Sequence, residues 1–340
     1  MIDTIKIYTE ISKEVYQKIY NKSIVKSSIN KKTGELIYEI INDHLEGSYS
    51  SSLSVRVGCG SKYSFVNLGY FIEIEGSYHK IIRGYNSHNG FYDLQYICIE
   101  LIKLVENSYS VNLPNINTWF LQRCDIAISF DLSNQDNVKS YINSLSRCTY
   151  PRRNMKFFYD ESVYCSGTTS TLKIYNKYLE FRKHDINKFK NTNFDLLRYL
   201  NTIQGFLRFE IEIKKKMLLK LYNKKHIKII EVKYDDLRKV WSDEFMKLLN
   251  LIESDLEQVR GMEDVKVRLF QIFKKSQAMR LYNFYCAIQL EGLNDIKKSF
   301  SSSTYYRNID SLKKAGIDFS QIYKIEEVYC FNPFESKEIA

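Results

Sequence analysis

Three strand-like segments of the sequence carry polar and charged residues at alternating positions. These positions are Arg123 and Asp125 in RCDIAISFD, Glu210 and Glu212 in LRFEIEIK, and Lys173, Tyr175 and Lys177 in TLKIYNKYLEF. Successive side chains of a β-strand point to opposite faces, so each segment predicts one apolar face and one face that carries reactive groups. A sheet that makes these segments neighbours would gather carboxylates, cations and a phenol on one surface.

That combination is suited to phosphoryl chemistry. Asp125, Glu210 and Glu212 supply hard oxygen ligands of the kind that bind Mg²⁺ or Mn²⁺, and these ions also bind phosphate. A tyrosine beside a metal ion and a lysine can attack phosphorus, because the cations lower the pKa of the phenol and stabilise charge on the phosphoryl oxygens. The same alternation is also typical of an ordinary half-exposed sheet with cross-strand ion pairs, in which Tyr175 is a packing residue.

The surrounding sequence indicates the elements that would position these groups. Strands are predicted over 3–9, 36–41, 53–57, 71–75, 120–132, 157–165, 171–181 and 207–214, with helices over 13–26, 93–105, 137–145 and 194–203. Strands interleaved with single helices predict an α+β fold, a mostly antiparallel sheet with helices on one face. Helical patterns over 231–252, 262–289 and 293–316 predict a smaller all-α C-terminal region. We therefore predict a catalytic α+β domain over 1–216 and a helical region over 217–340.

Composition narrows the classes of protein. Fifty Lys and Arg residues against 40 Asp and Glu give a net charge of +10, which favours a polyanionic partner, with nucleic acid as the first choice. The 7 cysteines are scattered without a CxxC pair, which argues against a disulfide framework and a structural zinc site. No apolar run is long enough to cross a membrane, and the first residues do not form a signal peptide. We expect a cytoplasmic protein with reduced thiols.

Two regions are candidates for DNA binding. Residues 147–190 carry ten basic and four acidic side chains interleaved with aromatic residues, which suits single-stranded or melted DNA. Arg152, Arg153 and Lys173 are the predicted contacts there, although a solvated hairpin with its aromatic residues in the core would look similar. Residues 293–317 predict a helix-turn-helix whose second helix begins after Ser302 or Ser303.

In that helix-turn-helix, Leu312 and Ile317 would pack inward. The predicted major-groove contacts are Thr304, Tyr305, Arg307 and Asn308. An ordinary pair of antiparallel helices has the same pattern and remains the alternative.

Several segments, in chain order, resemble the replication initiators of filamentous phages (the gene II protein family) and related rolling-circle initiators of phages and of small Gram-positive plasmids. The segments are the opening MID, EGSYHKIIRGYN at 75–86, the R-x-D strand at 123–125, TLKIYNKYLEF, LRFEIEIKKKML at 207–218 and STYYRNIDSLKKAGI at 303–317. The resemblance maps the family's nicking tyrosine onto Tyr175 and its R-F-E strand onto Arg208 and Glu210. The five histidines contain no His-hydrophobic-His pair, so the resemblance implies a metal site built from carboxylates.

The resemblance implies a nicking and joining endonuclease that starts rolling-circle replication. Tyr175 would cut the plus-strand origin, leaving a 5′-phosphotyrosyl link and a 3′-OH primer. Asp125 and Glu210 would hold Mg²⁺ or Mn²⁺, while Lys177 and Arg123 would stabilise the developing charge; whether Glu212 and Asp131 bind the ion stays open. Arg208 would contact DNA.

The partners implied by the resemblance are origin DNA, a host helicase and polymerase, and a second copy of the chain in a homodimer, with no membrane. Two alternatives remain at this point. The first is a non-enzymatic regulator that binds origin or operator DNA, and the second is a relaxase or transposase using the same tyrosine chemistry.

Overall fold

The computed structural model describes residues 1–317 except 24, 35, 46–52, 60–68, 146–149, 151, 159, 190–193, 258–261 and 292. Residues 318–340, which belong to the predicted C-terminal region, therefore lie outside the described residues. Ten strands form one sheet in the order β2-β3-β4-β5-β1-β6-β10-β9-β8-β7 within this part of the chain. The strands are β1 Ile2–Ile11, β2 Val25–Ile29, β3 Leu36–Leu45, β4 Leu53–Cys59, β5 Tyr70–Gly76, β6 Phe120–Asp131, β7 Asn154–Phe158, β8 Ser162–Ser166, β9 Ser170–Asn176 and β10 Phe206–Lys214.

Every pairing in this sheet is antiparallel. The helices are α1 Lys13–Lys22, α2 Tyr78–Arg83, α3 Leu94–Tyr109, α4 Gln135–Leu145, α5 Lys177–His184, α6 Leu196–Ile203, α7 Lys215–Tyr222, α8 Tyr234–Glu257, α9 Met262–Ile272, α10 Lys275–Glu291, α11 Leu293–Ser299 and α12 Ser302–Lys314. The prediction of an α+β fold on a mostly antiparallel sheet, followed by helices, is confirmed. None of the described helices is long and apolar enough to cross a membrane.

The apolar face of the sheet forms the core beneath the strands that carry the candidate site. Phe130 and Phe209 lie on this face of β6 and β10, and their rings contact each other edge to face. Trp241 of α8 packs against both rings, and its indole Nε1 donates a hydrogen bond to the carbonyl oxygen of Phe209 over 3.2 Å. Burial of one such large apolar side chain contributes about 1.5–3 kcal/mol. These contacts fix the orientation of β6 and β10, and hence of the polar side chains on their other face.

Several predicted elements differ in the structure. The strand predicted over 157–165 is two strands, β7 and β8, which pair as a hairpin. The strand predicted over 171–181 stops at Asn176, whose side chain accepts a hydrogen bond from the backbone N–H of Leu179 and caps α5. Glu180 in the first turn favours the same helix start. The alternation of side chains expected for a strand therefore ends at Asn176 and does not apply to Lys177. The helix predicted over 13–26 likewise ends at Lys22, and β2 follows it.

Apart from a short C-terminal segment, the chain divides into two compact units. The first consists of Met1–Ile142 and Pro151–Phe245, and the second of Asn143–Tyr150 and Met246–Asn332. The boundary between the two units therefore falls within α8, later in the chain than the boundary predicted between 216 and 217. The first part of α8 belongs to the first unit because it contributes Trp241 and Phe245 to the core of that unit. In the second unit the predicted helix over 262–289 is two helices, α9 and α10. A core formed by α9, α10, α11 and α12 includes Leu269, Leu281 and Leu312.

Candidate active site

Two rows of side chains cross the polar face of the sheet from its edge strand inward. The first row follows the register Phe158–Ser162–Tyr175–Arg208–Ser129 across β7, β8, β9, β10 and β6. The second follows Lys156–Tyr164–Lys173–Glu210–Ala127 across the same strands. The antiparallel pairing therefore brings together residues that are far apart in sequence.

Tyr175 lies at the centre of these rows. Its phenol donates a hydrogen bond to Oε2 of Glu210 over 3.0 Å, and its side chain is 7% exposed. Burial raises the pKa of Tyr175 well above its ordinary value, although the neighbouring Arg208 guanidinium acts in the opposite direction. The free protein therefore holds a protonated phenol that is oriented toward a carboxylate.

A cavity of about 540 Å³ lies over this part of the sheet. Its lining is mostly polar and consists of Lys80, Asn86, Lys156, Phe158, Glu161, Ser162, Tyr164, Ser166, Lys173, Tyr175, Asn176, Glu180, Lys183, His184 and Glu210. Tyr175 is thus buried in the wall of a polar cavity and not in the apolar interior. A substrate that enters the cavity would meet the phenol directly.

Glu210 is held as a carboxylate by Lys173. The ammonium of Lys173 lies 2.7 Å from Oε1 of Glu210, and the two side chains are direct neighbours in the register of β9 and β10. Burial alone would raise the pKa of Glu210, but Lys173 and other nearby cations hold that pKa below its ordinary value. The carboxylate that accepts the Tyr175 hydrogen bond is therefore ionised at neutral pH.

Asp125 of β6 is diagonal to Glu210, two residues before Ala127, which is the register partner of Glu210. Arg123 donates two hydrogen bonds to it, over 2.7 and 2.6 Å, and a third to Glu75 over 2.8 Å. Lys173 lies 3.6 Å from Asp125 as well, so its ammonium is shared between Asp125 and Glu210. Burial raises the pKa of Asp125 to about 6, even though Arg123 and Lys173 act to lower it.

The donors predicted to hold a metal ion are thus already engaged. Both oxygens of Asp125 accept hydrogen bonds from Arg123, and those of Glu210 accept from Lys173 and Tyr175. Within the described ranges, no three His, Cys, Asp or Glu side chains are grouped as a metal site. A divalent ion between Asp125 and Glu210 would have to replace the Lys173 ammonium, so the arrangement as it stands does not fit the ion.

The remaining predicted site residues lie farther from the phenol. In the strand register Arg123 is opposite Lys214, whereas Tyr175 is opposite Arg208. Lys214 and Arg208 are six residues apart on β10, which is about 20 Å along the strand. Glu212 is opposite Asp125 in the strand register. Nη2 of Arg123 lies 3.8 Å from Oε2 of Glu212. Asp131 pairs with Phe206 at the far end of β10.

Lys177 is fully buried at the start of α5. Its ammonium lies 2.7 Å from Oε2 of Glu180. Burial lowers the pKa of Lys177 to about 8, with Glu180 acting against that shift. The side chain therefore has an acidic partner of its own, and it belongs to a helix and not to the strand face on which it was predicted.

A buried polar cluster that the strand patterns did not predict surrounds Arg208. The Arg208 side chain is fully buried, so it does not face DNA as predicted. Its Nη1 donates to the carbonyl oxygen of Ser87 over 2.7 Å, and its Nη2 lies 3.6 Å from Asp3. Asp3 also lies 3.2 Å from His79 and 3.6 Å from Lys80, both on α2. Nε of Arg208 has no hydrogen-bond partner in the described part of the chain. The segment EGSYHKIIRGYN, which carries His79 and Lys80, contributed to the sequence analysis only through the family resemblance, and no role was predicted for either residue.

The predicted DNA contacts near the hairpin have different environments. Arg152 is exposed, with a positive φ of 62°. Arg153 instead forms an ion pair with Glu244 and donates to the carbonyl oxygen of Ser170 over 2.8 Å. Arg153 thus stabilises the fold through contacts within the protein, whereas Lys173 lines the cavity. Arg147 and Lys190, at the ends of the basic segment, lie outside the described residues.

The predicted recognition helix presents a different face from the one expected. Tyr305 and Asn308 are only 7% and 2% exposed, because they lie on the apolar stripe of α12 with Ile309 and Leu312. They are therefore buried in the second unit and do not face a major groove. Thr304 is half-buried and Arg307 is exposed. The N-cap is Ser301, one residue before the earlier of the two serines predicted.

A match to one protein family covers more than half of the chain. Residues 1–236 match the family model for the N-terminal region of the phage replication-associated gene II protein. Among solved structures, a rolling circle replication initiator protein from Geobacillus stearothermophilus is 11% identical, with a TM-score of 0.28, covering 66% of this chain and 77% of that one. The di-domain ARO/CYC StfQ from the steffimycin biosynthetic pathway is 8% identical, with a TM-score of 0.23, covering 74% and 97%. No curated protein matches the sequence. Because the match to the family spans more than half of the sequence, the chain belongs to the replication-associated proteins defined by the N-terminal region of the gene II protein.

Proposed function

We propose that this protein initiates rolling-circle replication by nicking one strand of origin DNA with Tyr175 as the nucleophile. The observation that supports this most directly is the hydrogen bond from the Tyr175 phenol to the ionised Glu210 carboxylate in the wall of a polar cavity. Arg208 is the register partner of Tyr175, and Lys173 is next to Glu210. A nucleophile, a proton acceptor and two cations are therefore adjacent.

In the proposed reaction, the Tyr175 oxygen forms a bond to phosphorus while the bond from phosphorus to the 3′ oxygen breaks. The phenolic proton passes to Oε2 of Glu210, and the departing 3′ oxygen takes a proton from solvent. Lys173, which lines the cavity, stabilises the negative charge on the phosphoryl oxygens. The fully buried Arg208 instead favours negative charge on the Tyr175 oxygen. The products are a 5′-phosphotyrosyl link and a free 3′-OH, which a host polymerase would extend behind a host helicase.

No step of the proposed reaction passes through a metal ion. Mg²⁺ or Mn²⁺ at Asp125, Glu210 and Glu212 stays a prediction, because Lys173 lies where an ion shared by Asp125 and Glu210 would bind. The roles of Lys177 and Arg123 as charge-stabilising groups also stay predictions. Each of them already pairs with a carboxylate, Lys177 with Glu180 and Arg123 with Asp125.

The test is a nicking assay on the supercoiled replicon that encodes the gene, with Mg²⁺ or Mn²⁺ present. Wild-type protein is expected to open the circle and to leave a denaturant-resistant adduct with DNA, whereas Tyr175→Phe should do neither. Tyr164→Phe is the matched control, because it removes a phenol from the same cavity without touching Glu210. An adduct that persists in Tyr175→Phe rejects the nucleophile. Binding without nicking by wild type would favour the non-enzymatic regulator.

A further inference from the structure

The edge strand β7 presents an aromatic ring at the mouth of the cavity. Phe158 is 48% exposed and lines the cavity, and its ring contacts Tyr164 edge to face with 5.7 Å between ring centroids. Because the ring is exposed and lines the cavity, it is available to contact a ligand that enters there. The ring also shares its cross-strand row with Tyr175, so it lies on the same face of the sheet.

The ring and the nucleophile are close enough for one extended single strand to contact both. Two strand separations, about 10 Å, divide β7 from β9, and Ser162 is the residue between Phe158 and Tyr175 in the row. Its small side chain leaves the floor of the cavity open. An extended single strand whose phosphate is at Tyr175 could therefore place a neighbouring base over Phe158.

Charge at the cavity mouth favours the same ligand. Lys156 is two residues from Phe158 on the same face of β7, is exposed, and has no ion-pair partner among the described residues. Lys183, at the other side of the cavity, pairs with Glu161, whose side chain is 46% exposed, and with no other acid among the described residues. A cation beside an aromatic ring is the usual arrangement for holding unpaired nucleic acid, because the cation binds the backbone and the ring stacks on a base.

We propose that Phe158 is a stacking platform for an unpaired base next to the scissile phosphate, with Lys156 binding the adjoining backbone. The substrate class is single-stranded DNA, because a base within a duplex cannot leave its stack without unpairing. This inference rests on the proposed function, since it takes Tyr175 as the position of the scissile phosphate. It adds a binding site that the nicking chemistry itself does not require.

The experiment measures binding of a short fluorescent oligothymidylate by anisotropy, in wild type and in the Tyr175→Phe background. Phe158→Ala is expected to weaken binding by about 5- to 150-fold, the range for loss of one stacked base. Phe158→Trp should retain affinity, while Phe158→Leu, which keeps apolar bulk without a flat ring, should not. Phe270→Ala is the matched control, because it removes a similarly exposed ring from α9.

A second probe, an oligomer of the same length and charge that lacks bases, separates stacking from charge. Wild type and Phe158→Ala should bind it equally, and Lys156→Ala should weaken binding of both probes. Equal affinity of wild type and Phe158→Ala for oligothymidylate would overturn the proposal, as would an equal loss on both probes. Because binding needs no cleavage, failure of Tyr175 as the nucleophile would appear only in the adduct assay and would leave this result unaffected.

Discussion

Tyr175 and Glu210 lie on neighbouring strands of the sheet, and the phenol of the first donates to the carboxylate of the second over 3.0 Å. The hydrogen bond fixes the direction of the phenolic proton, and Lys173 keeps the acceptor ionised by holding its pKa below the ordinary value. Because the carboxylate already accepts a hydrogen bond from the phenol, it can take the proton as the phenol oxygen attacks phosphorus. Glu210 is therefore better placed as a proton acceptor than as a metal ligand.

Glu210→Gln tests this assignment. The amide keeps the shape of the side chain but cannot accept the phenolic proton, so we expect the single-turnover nicking rate to fall by about 10²- to 10⁴-fold. Affinity for single-stranded DNA should be unchanged. Glu212→Gln, two residues along the same strand and close to Arg123, is the control and should nick at nearly the wild-type rate. Nicking by Glu210→Gln at that rate would remove the general base from the mechanism.

Lys173→Met tests whether an ammonium substitutes for a metal ion. The change leaves Asp125 and Glu210 as adjacent buried carboxylates without their shared cation, which should cost roughly 3–5 kcal/mol of unfolding free energy. Mn²⁺ should recover part of that loss, because the vacated position is flanked by two carboxylates. The measurement is the midpoint of thermal unfolding with Mn²⁺ and with a chelator.

The control for Lys173→Met is Lys183→Met, which breaks an ion pair whose two side chains are both exposed. Such pairs contribute only about 0–1 kcal/mol, so little change is expected with or without Mn²⁺. If Lys173→Met unfolds at the same temperature in Mn²⁺ and in chelator, Asp125 and Glu210 do not form a cation site even when the lysine is gone.

The buried His79 predicts a pH dependence of stability. Burial lowers the pKa of His79 to about 3, with Asp3 acting against the shift, compared with 6.5 in the unfolded chain. Between these two values the unfolded state binds more protons, so His79 makes the fold less stable as the pH falls from about 6.5 toward 3, by at most about 1.4 kcal/mol per pH unit. Asp125, whose pKa is raised to about 6, acts in the opposite direction over part of this window.

His79→Gln should therefore lose stability less steeply than wild type as the pH falls below about 6.5. Denaturant unfolding at several pH values measures this difference, and the comparison with wild type cancels the contribution of Asp125. His184→Gln, at an exposed histidine of α5, should follow the wild-type curve. Parallel curves for His79→Gln and wild type would mean that His79 is protonated in the folded protein.

The sequence was most informative where one physical rule determines the structure. Strict alternation in β6 and β10 was sufficient to predict that Asp125 and Glu210 share a face of the sheet. The apolar residues that alternate with the polar ones in each strand must face the core, so the polar ones face the other way. The resemblance to a known family selected Tyr175 from 27 tyrosines. Alternation failed after Asn176, where a single capping side chain changes strand to helix and takes Lys177 off the sheet.

Features that depend on pairs of distant side chains were not predicted. The position of Lys173 between two acids follows from the register of β9 against β10, which strand patterns do not specify. The burial of Asp3 and His79 requires α2 to pack beside β1, and neither residue has a distinctive pattern. In α12, apolar and polar residues are both present at the predicted contact positions, so only the packing of the second unit decides that Tyr305 is buried.

Because Tyr305 is buried and Arg307 is not, we expect substitutions on the two faces of α12 to affect stability and DNA binding separately. Arg307 is exposed, so Arg307→Ala should leave the unfolding temperature unchanged, weaken binding to the replicon DNA and reduce the salt dependence of that binding by about one phosphate contact. Tyr305→Ala should instead lower the unfolding free energy by about 3–5 kcal/mol, because it empties a core position packed against Phe284. Arg280→Ala, at an exposed arginine of α10, controls for loss of one positive charge from the second unit. If Arg307→Ala and Arg280→Ala bind DNA equally well, with the same salt dependence, α12 does not contact DNA through its exposed face.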